Sequence, residues 1–286
     1  MADTEPAAQY DEVARIFRTA SAAPGGDFDR IEEEFGQYLD ESLAPRGPGS
    51  LLDLVATVEP PAGGVAVDVG CGSGRDTVRL AQRFGLQVHG VDPRSGSIQK
   101  AAERVAAEGL QDAVRLYVGR AEEIPLPDGS VDLLWCKEAL TFTELDVAMG
   151  EFRRVMRPGA VGVVYQVLTG PAMSDAEAEW FASQDMGFGT ARSMRPADVE
   201  SAAAGAGLEV RRRVDYAGEW GEAGEEHGGA AGRRLLHASR LLRRPQRYID
   251  RYGEENYRIM LLDCLWHVNR MVGKLWGVAF VVARPL

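Results

Sequence analysis

The apolar and polar positions divide the chain into an alternating middle and two helical flanks. Val65–Val69 is a short apolar run that ends in glycine, and residues 87–91, 114–118, 131–135 and 161–167 repeat the type. Short runs without strict alternation predict strands buried on both faces. Between them, residues 77–84 and 97–108 have helical spacing. In the second, Ile98, Ala102 and Val105 share one face and Gly109 is the C-terminal stop. A helix through Leu145, Met149, Phe152 and Met156 closes at Arg157-Pro158-Gly159. Residues 197–207 read as helix, 208–214 as a sixth strand and 277–282 as a seventh. This alternation predicts an α/β fold, a doubly wound seven-stranded sheet that is mostly parallel with its last strand antiparallel.

The flanks break the rhythm. Residues 1–56 place Val13, Ile16 and Phe17, then Ile31, Phe35, Tyr38 and Leu39, at three- and four-residue steps, a helical extension interrupted by Ala44-Pro45-Arg46-Gly47-Pro48-Gly49. Residues 217–275 form a second departure. Residues 217–232, rich in glycine and glutamate, predict a mobile loop, and residues 233–274 a helical segment broken at Pro245. The expected organisation is an extension over 1–56, a core of 57–216 with 276–286, and a helical lid over 217–275.

Composition narrows the class. Of 286 residues 45% are hydrophobic, enough for a buried core. Acids outnumber Lys and Arg by 43 to 32, for a net charge of −11, which disfavours a nucleic-acid partner. No apolar run approaches the roughly 20 residues of a membrane span, and the first residues lack a signal-peptide pattern. Cys71, Cys136 and Cys264 are scattered and the histidines lack metal-ligand spacing, so neither a disulfide framework nor a metal is expected. A cytoplasmic location follows as the expectation.

The strongest chemical signal is Val65-Ala66-Val67-Asp68-Val69-Gly70-Cys71-Gly72-Ser73-Gly74-Arg75-Asp76-Thr77, a strand that runs through three glycines into a helix. Glycines there permit positive φ and close approach of a ligand, and a helix N-terminus offers unpaired N–H groups. Asp92, 18 residues past Gly74, follows the second strand, where an acid can accept from both hydroxyls of a ribose. A dinucleotide fingerprint needs a small residue where Arg75 stands. Asp68 within the strand suits a ligand carrying an ammonium and a sulfonium, not a pyrophosphate.

These residues resemble motif I of the class I S-adenosylmethionine-dependent methyltransferases. Gly90-Val91-Asp92-Pro93 is similar to the family's ribose motif, and residues 119–132 to its adenine segment and following strand. Residues 152–159 are similar to its turn before strand five, so the likeness spans about 60–168 in order. The closest subgroup is the small-molecule enzymes related to ubiquinone and menaquinone biosynthesis. The resemblance implies a Rossmann-like fold with S-adenosylmethionine as cofactor and S-adenosylhomocysteine as product. It implies that Gly70, Cys71, Gly72 and Gly74 wrap the methionine part, with Asp68 near its amino group. Asp92 would hold the ribose, Pro93 and Arg94 would flank the adenine, and Arg120 and Ala121 would lie along its edge. Relatives often carry an acid where Arg120 stands, and arginine cannot accept; either Glu122 substitutes or the backbone of Ala121 holds the adenine. Cys136 and Lys137 would lie near the methionine moiety or the substrate, the cysteines reading as packing residues rather than nucleophiles.

In such sheets ligands lie beyond the carboxyl ends of the strands. That places Glu138, a candidate catalytic residue, and Leu140 after strand four, and Gln166 after strand five, on the acceptor side. From the lid, Trp266 and Met260 are candidate pocket residues, with plain core packing as the alternative. Glu219 and Trp220 either close over substrate or belong to a solvated loop. His267 is either the general base or a half-buried histidine bonded to a carbonyl. Arg233, Arg234, Arg240, Arg243, Arg244 and Arg247 surround four leucines; that helix either packs with a solvated arginine face or attracts an anion or a membrane surface. The expected activity is methyl transfer to O, N or C of a small-molecule metabolite, anionic or carrying an apolar part. The alternatives are a cyclisation or rearrangement without methyl loss, or a non-catalytic partner subunit.

Overall fold

The computed structural model describes residues 32, 35, 36, 38–184, 192–229 and 231–286. The expected helices of residues 1–31 lie outside them; Phe35, Tyr38 and Leu39 are exposed. In chain order the elements are α1 (Ser50–Ala56), β1 (Val65–Val69), α2 (Arg75–Phe84), β2 (Gln87–Asp92), α3 (Ser95–Ala107), β3 (Val114–Val118) and β4 (Val131–Lys137). Then come α4 (Leu145–Val155), β5 (Met156–Thr169), α5 (Asp175–Ala182), α6 (Pro196–Gly205) and β6 (Glu209–Ala217). The last are α7 (Glu219–Glu226), α8 (Ala231–Arg243), α9 (Pro245–Tyr252), α10 (Glu254–Met271) and β7 (Leu275–Ala283).

The seven strands form one sheet in the order β3-β2-β1-β4-β5-β7-β6, with β7 antiparallel to both neighbours. Alternate residues serve opposite faces. Val67, Leu134, Val164 and Phe280 pack beneath α4 and α6, through Phe152 and Val199. Ala66, Leu133, Val163 and Val281 pack against α1, α2 and α3, through Leu51, Leu80 and Val105. Burying each such large side chain contributes about 1.5–3 kcal/mol. The order reverses between β1 and β4, and their register is level: Val69 faces Val91 of β2 and Cys136 of β4. The loops after β1, β2 and β4 therefore emerge side by side at the carboxyl edge.

Two elements differ from the pattern reading. Residues 217–232 contain a helix, α7, rather than only a loop. Trp220 is buried and stacks on Tyr165 at 4.1 Å between ring centroids, and that burial secures a helix whose glycines alone predict coil. The unforeseen α5 begins with a capping box, in which Ser174 Oγ accepts from the Glu177 N–H and Glu177 reaches back. Pro245 does break the lid, opening α9 one residue beyond the end of α8.

A buried cation ties the helical segment before β7 to the sheet. Buried Arg270 of α10 donates to the Tyr165 hydroxyl at 2.6 Å, its guanidinium lying 4.8 Å from the Trp220 ring and 5.3 Å from the Trp266 ring. Ring faces serve it there. A small core of Ala238, Leu241 and Cys264, with Tyr257 and Leu261 against it, joins α8 to α10.

Candidate functional site

At the carboxyl edge lies a cleft of about 610 Å³, with Asp92 and Arg120 among its lining at one end and Gln166, Trp266 and His267 at the other. Backbone geometry builds the first end. Gly70 (φ +76°) donates its N–H to the Val91 carbonyl at 2.8 Å, and a Cβ there would lie 2.6 Å from the Ala139 Cβ. Gly72 (φ +52°) differs, because a Cβ on it would enter open space. Neither Gly72 nor Gly74 is among the residues that line the cleft. Gly74 is the left-handed N-cap of α2.

Asp92 is buried at the end of β2 yet lines the cleft. Its Oδ2 accepts from the Gly72 N–H and its Oδ1 from the Arg94 N–H, both at 3.0 Å. Oδ1 accepts from Arg94 Nε as well, at 3.4 Å, while Oδ2 keeps a lone pair for a ribose hydroxyl. Pro93, Arg94, Arg120 and Ala121 line the cleft around it, as does Glu122. Burial pushes the Glu122 carboxyl up. The Glu144 N–H at 2.9 Å and the Arg120 guanidinium outweigh that and hold it below the usual range. An ionised Glu122 can accept a hydrogen bond where Arg120 cannot.

Asp68, Cys71 and Cys136 are buried beneath the loop and do not line the cleft. Burial pushes the Asp68 carboxyl up to about 7, despite the Thr77 hydroxyl donating to it at 2.6 Å. Burial also raises both thiols, so neither is a ready nucleophile. Lys137 is drawn aside, its Nζ 2.6 Å from a carboxylate oxygen of Asp76, a residue the motif reading missed. Asp68 feels Asp76, Asp92 and Lys137, while Asp76 also pairs with Arg79 at 3.3 Å and Asp92 with Arg94 at 3.4 Å.

The second end is assembled from distant segments. Glu138 holds a left-handed backbone (φ +56°), unusual for a residue with a side chain, and donates its N–H to the Tyr165 carbonyl at 2.8 Å. Gln166 accepts from the Leu140 N–H at 3.0 Å, which orders this loop. Leu140 itself is fully buried and does not line the cleft. Phe142, Met173, Phe181 and Leu275 supply apolar wall that sequence reading missed, because nothing in their local pattern marks which side they face.

His267 Nδ1 lies 2.8 Å from the Asp263 carbonyl, one turn earlier in α10. A carbonyl only accepts, so Nδ1 donates to it, and in the neutral ring Nε2 holds the lone pair. The carbonyl-bonded reading is therefore realised, and the residue also lines the cleft. Asp263 is itself paired with Arg234 at 2.9 Å.

Three lid expectations fail. Glu219 is turned onto Arg46, the two forming an ion pair at 2.5 Å. Trp220 is buried on Tyr165, and Met260 is part-exposed on α10; none of the three lines the cleft. The arginines of 233–247 are absent from its lining too, against capture of an anionic substrate there. Among the described residues no His, Cys, Asp or Glu cluster is placed to hold a metal ion, and no helix is long and apolar enough to cross a membrane.

Comparison with known proteins assigns the family. Residues 66–159 match a family described as a methyltransferase domain. The chain is 30% identical over 194 residues to the methyltransferase GfsG of Streptomyces halstedii, across 63% of this chain and 67% of that protein. It is 26% identical over 209 residues to the 27-O-demethylrifamycin SV methyltransferase of Amycolatopsis mediterranei, across 71% and 77%. A solved geranyl diphosphate methyltransferase in complex with S-adenosylmethionine superposes with a TM-score of 0.62 at 20% identity, across 82% and 84%. The chain belongs to the class I S-adenosylmethionine-dependent methyltransferases. It is an enzyme with a Rossmann-like fold, and its cofactor is S-adenosylmethionine.

Proposed function

We propose that this enzyme methylates a hydroxyl of a neutral, largely apolar metabolite, with His267 as general base. One observation carries the reading: His267 keeps an Nε2 lone pair in a cleft wall otherwise rich in Phe142, Met173, Phe181 and Trp266. The acceptor end adds the carboxylates Glu138 and Asp263, while its one arginine, Arg192, is paired with Glu144. Among the described residues there, a phosphorylated acceptor would therefore meet no arginine without a carboxylate partner. One relative named above is a 27-O-demethylrifamycin SV methyltransferase, which supports a specialised metabolite as substrate.

Gly70, Gly72 and Gly74 would hold the methionine part of the cofactor, Asp92 the ribose, and Glu122 with Ala121 the adenine. The bound cofactor supplies an electrophilic methyl on a sulfonium, open to in-line displacement by the acceptor oxygen. The chain's own work is to orient the hydroxyl and exclude water, worth up to about 7–11 kcal/mol when alignment is good. His267 Nε2 takes the hydroxyl proton as the oxygen–carbon bond forms, and the Asp263 carbonyl steadies the resulting imidazolium through Nδ1–H. Glu138, in its left-handed turn, would position the acceptor from the opposite wall.

The test is transfer from methyl-labelled cofactor to paired acceptors, an apolar alcohol and its phosphate ester. Label in the alcohol with equimolar S-adenosylhomocysteine is expected. Product formed without S-adenosylhomocysteine would select the non-methylating alternative, and a preference for the phosphate ester would overturn the neutral-acceptor reading.

A further inference from the structure

The basic face of the lid is spent on nothing in the fold. Across 233–251 the chain has seven arginines and one acid, in a protein of net charge −11. Elsewhere many arginines are neutralised: Arg83 by Asp53 at 2.6 Å, Arg157 by Asp132 at 2.7 Å and Arg195 by Asp175 at 2.5 Å. Among the described residues of 233–251 Arg234 alone is, by Asp263. Arg233, Arg240, Arg243, Arg244 and Arg247 are exposed and have no carboxylate within 4.0 Å among the described residues.

Leucines stand between them. Leu235, Leu236 and Leu242 are 60%, 45% and 59% exposed, although α8 already buries Ala238 and Leu241 against α10. These outward leucines contribute nothing to that core. Leu235 and Leu242, seven residues apart, share one stripe, and Leu236, Arg240 and Arg243, at four- and three-residue steps, share the stripe next to it. Tyr252, 57% exposed at the end of α9, continues the mixed surface beside Arg251.

We propose that the outer face of α8 and α9 docks on an anionic lipid bilayer. Leucines set singly among guanidinium groups make no groove for a protein anchor. They match a surface where apolar tips enter the acyl boundary while arginines reach headgroup phosphates. Screening over about 8–10 Å lets the patch act locally despite the acidic remainder, which the same surface repels. The α8 helix packs on α10, which brings Trp266 and His267 to the cleft, so the docking face and the acceptor wall belong to one unit.

The proposal is independent of the acceptor and is tested without turnover. The full chain is sedimented with vesicles of phosphatidylcholine, alone or mixed with phosphatidylglycerol, at low and high salt. Binding to the mixed vesicles only, weakened by salt, is expected. Each of Arg240→Gln and Arg243→Gln should weaken partitioning about fivefold, and Leu235→Ser with Leu242→Ser about tenfold, at unchanged melting temperature. Equal binding to both vesicle types, or variants that bind like the parent, would overturn it. So would retention by an acidic polypeptide, or salt-sensitive self-association by light scattering, without vesicle binding; these would assign the face to a protein partner or a second copy.

Discussion

The two ends of the cleft are built on opposite plans. The end proposed for the cofactor is lined by backbone and carboxylates from consecutive loops: Gly70 after β1, Asp92 after β2, Ala121 and Glu122 after β3. The acceptor end is made of side chains from β5, α5 and α10, brought together only by the sheet order and the lid. The first plan fixes one ligand and tolerates little change. The second leaves walls that can vary while the chemistry stays the same.

The sharpest break in this contrast is Gly70→Val, which needs both a strained φ and space held by Ala139. Overpacking of about 1–3 kcal/mol with about 1–2 kcal/mol of left-handed strain should lower the melting temperature and abolish the thermal shift given by the cofactor. His267→Gln should act on the other end alone. A fall in kcat of about 10²–10⁴-fold is expected, with cofactor affinity by calorimetry unchanged; an equal loss of cofactor affinity would show that the two ends are not separable. Asp92→Ala removes a charged acceptor worth about 1.5–3 kcal/mol per bond, so cofactor binding should weaken about 10–100-fold with little change in acceptor KM.

A smaller effect concerns pH. With Asp68 raised to about 7, the folded protein holds a proton that the unfolded chain has lost above its ordinary 3.8. Asp68 therefore costs stability above pH 7, and that cost fades as pH falls from about 7 towards 4. If its carboxylate meets the cofactor's ammonium, affinity should drop up to about tenfold per unit below pH 7, and Asp68→Asn should flatten the profile. Smallest of all is Glu219→Gln. Its partner is Arg46 at a part-exposed site, so about 1 kcal/mol or less of stability is expected and no change in acceptor KM.

The cofactor end was largely legible because its parts are local. A strand, three glycines, a helix start and an acid at the next strand end occupy one continuous stretch, and backbone chemistry dictates those residue types. Asp76 escaped because it looks like any acid in a first helical turn; its role lies in holding Lys137 away from Asp68. The acceptor end was half legible. Trp266 and His267 lie where expected, while Glu219, Trp220 and Met260 do not, since a helix that touches both sheet and solvent shows no sign of which neighbour each side chain will meet. Trp220 illustrates this: its surroundings are polar and glycine-rich, yet its ring is buried on Tyr165, 55 positions earlier.

By itself the sequence determined the strand–helix alternation, the nucleotide loop and the acid that follows it, because hydrophobic period and backbone conformation are set by near neighbours. Only the tertiary structure decided the composition of the acceptor wall and the inward turn of His267. It also decided that the exposed arginines of α8 and α9 stay out of the cleft lining. Those outcomes depend on long-range packing of α7, α8 and α10 around Arg270 and Tyr165, and the free energy of such contacts belongs to the pairings, not to any one segment.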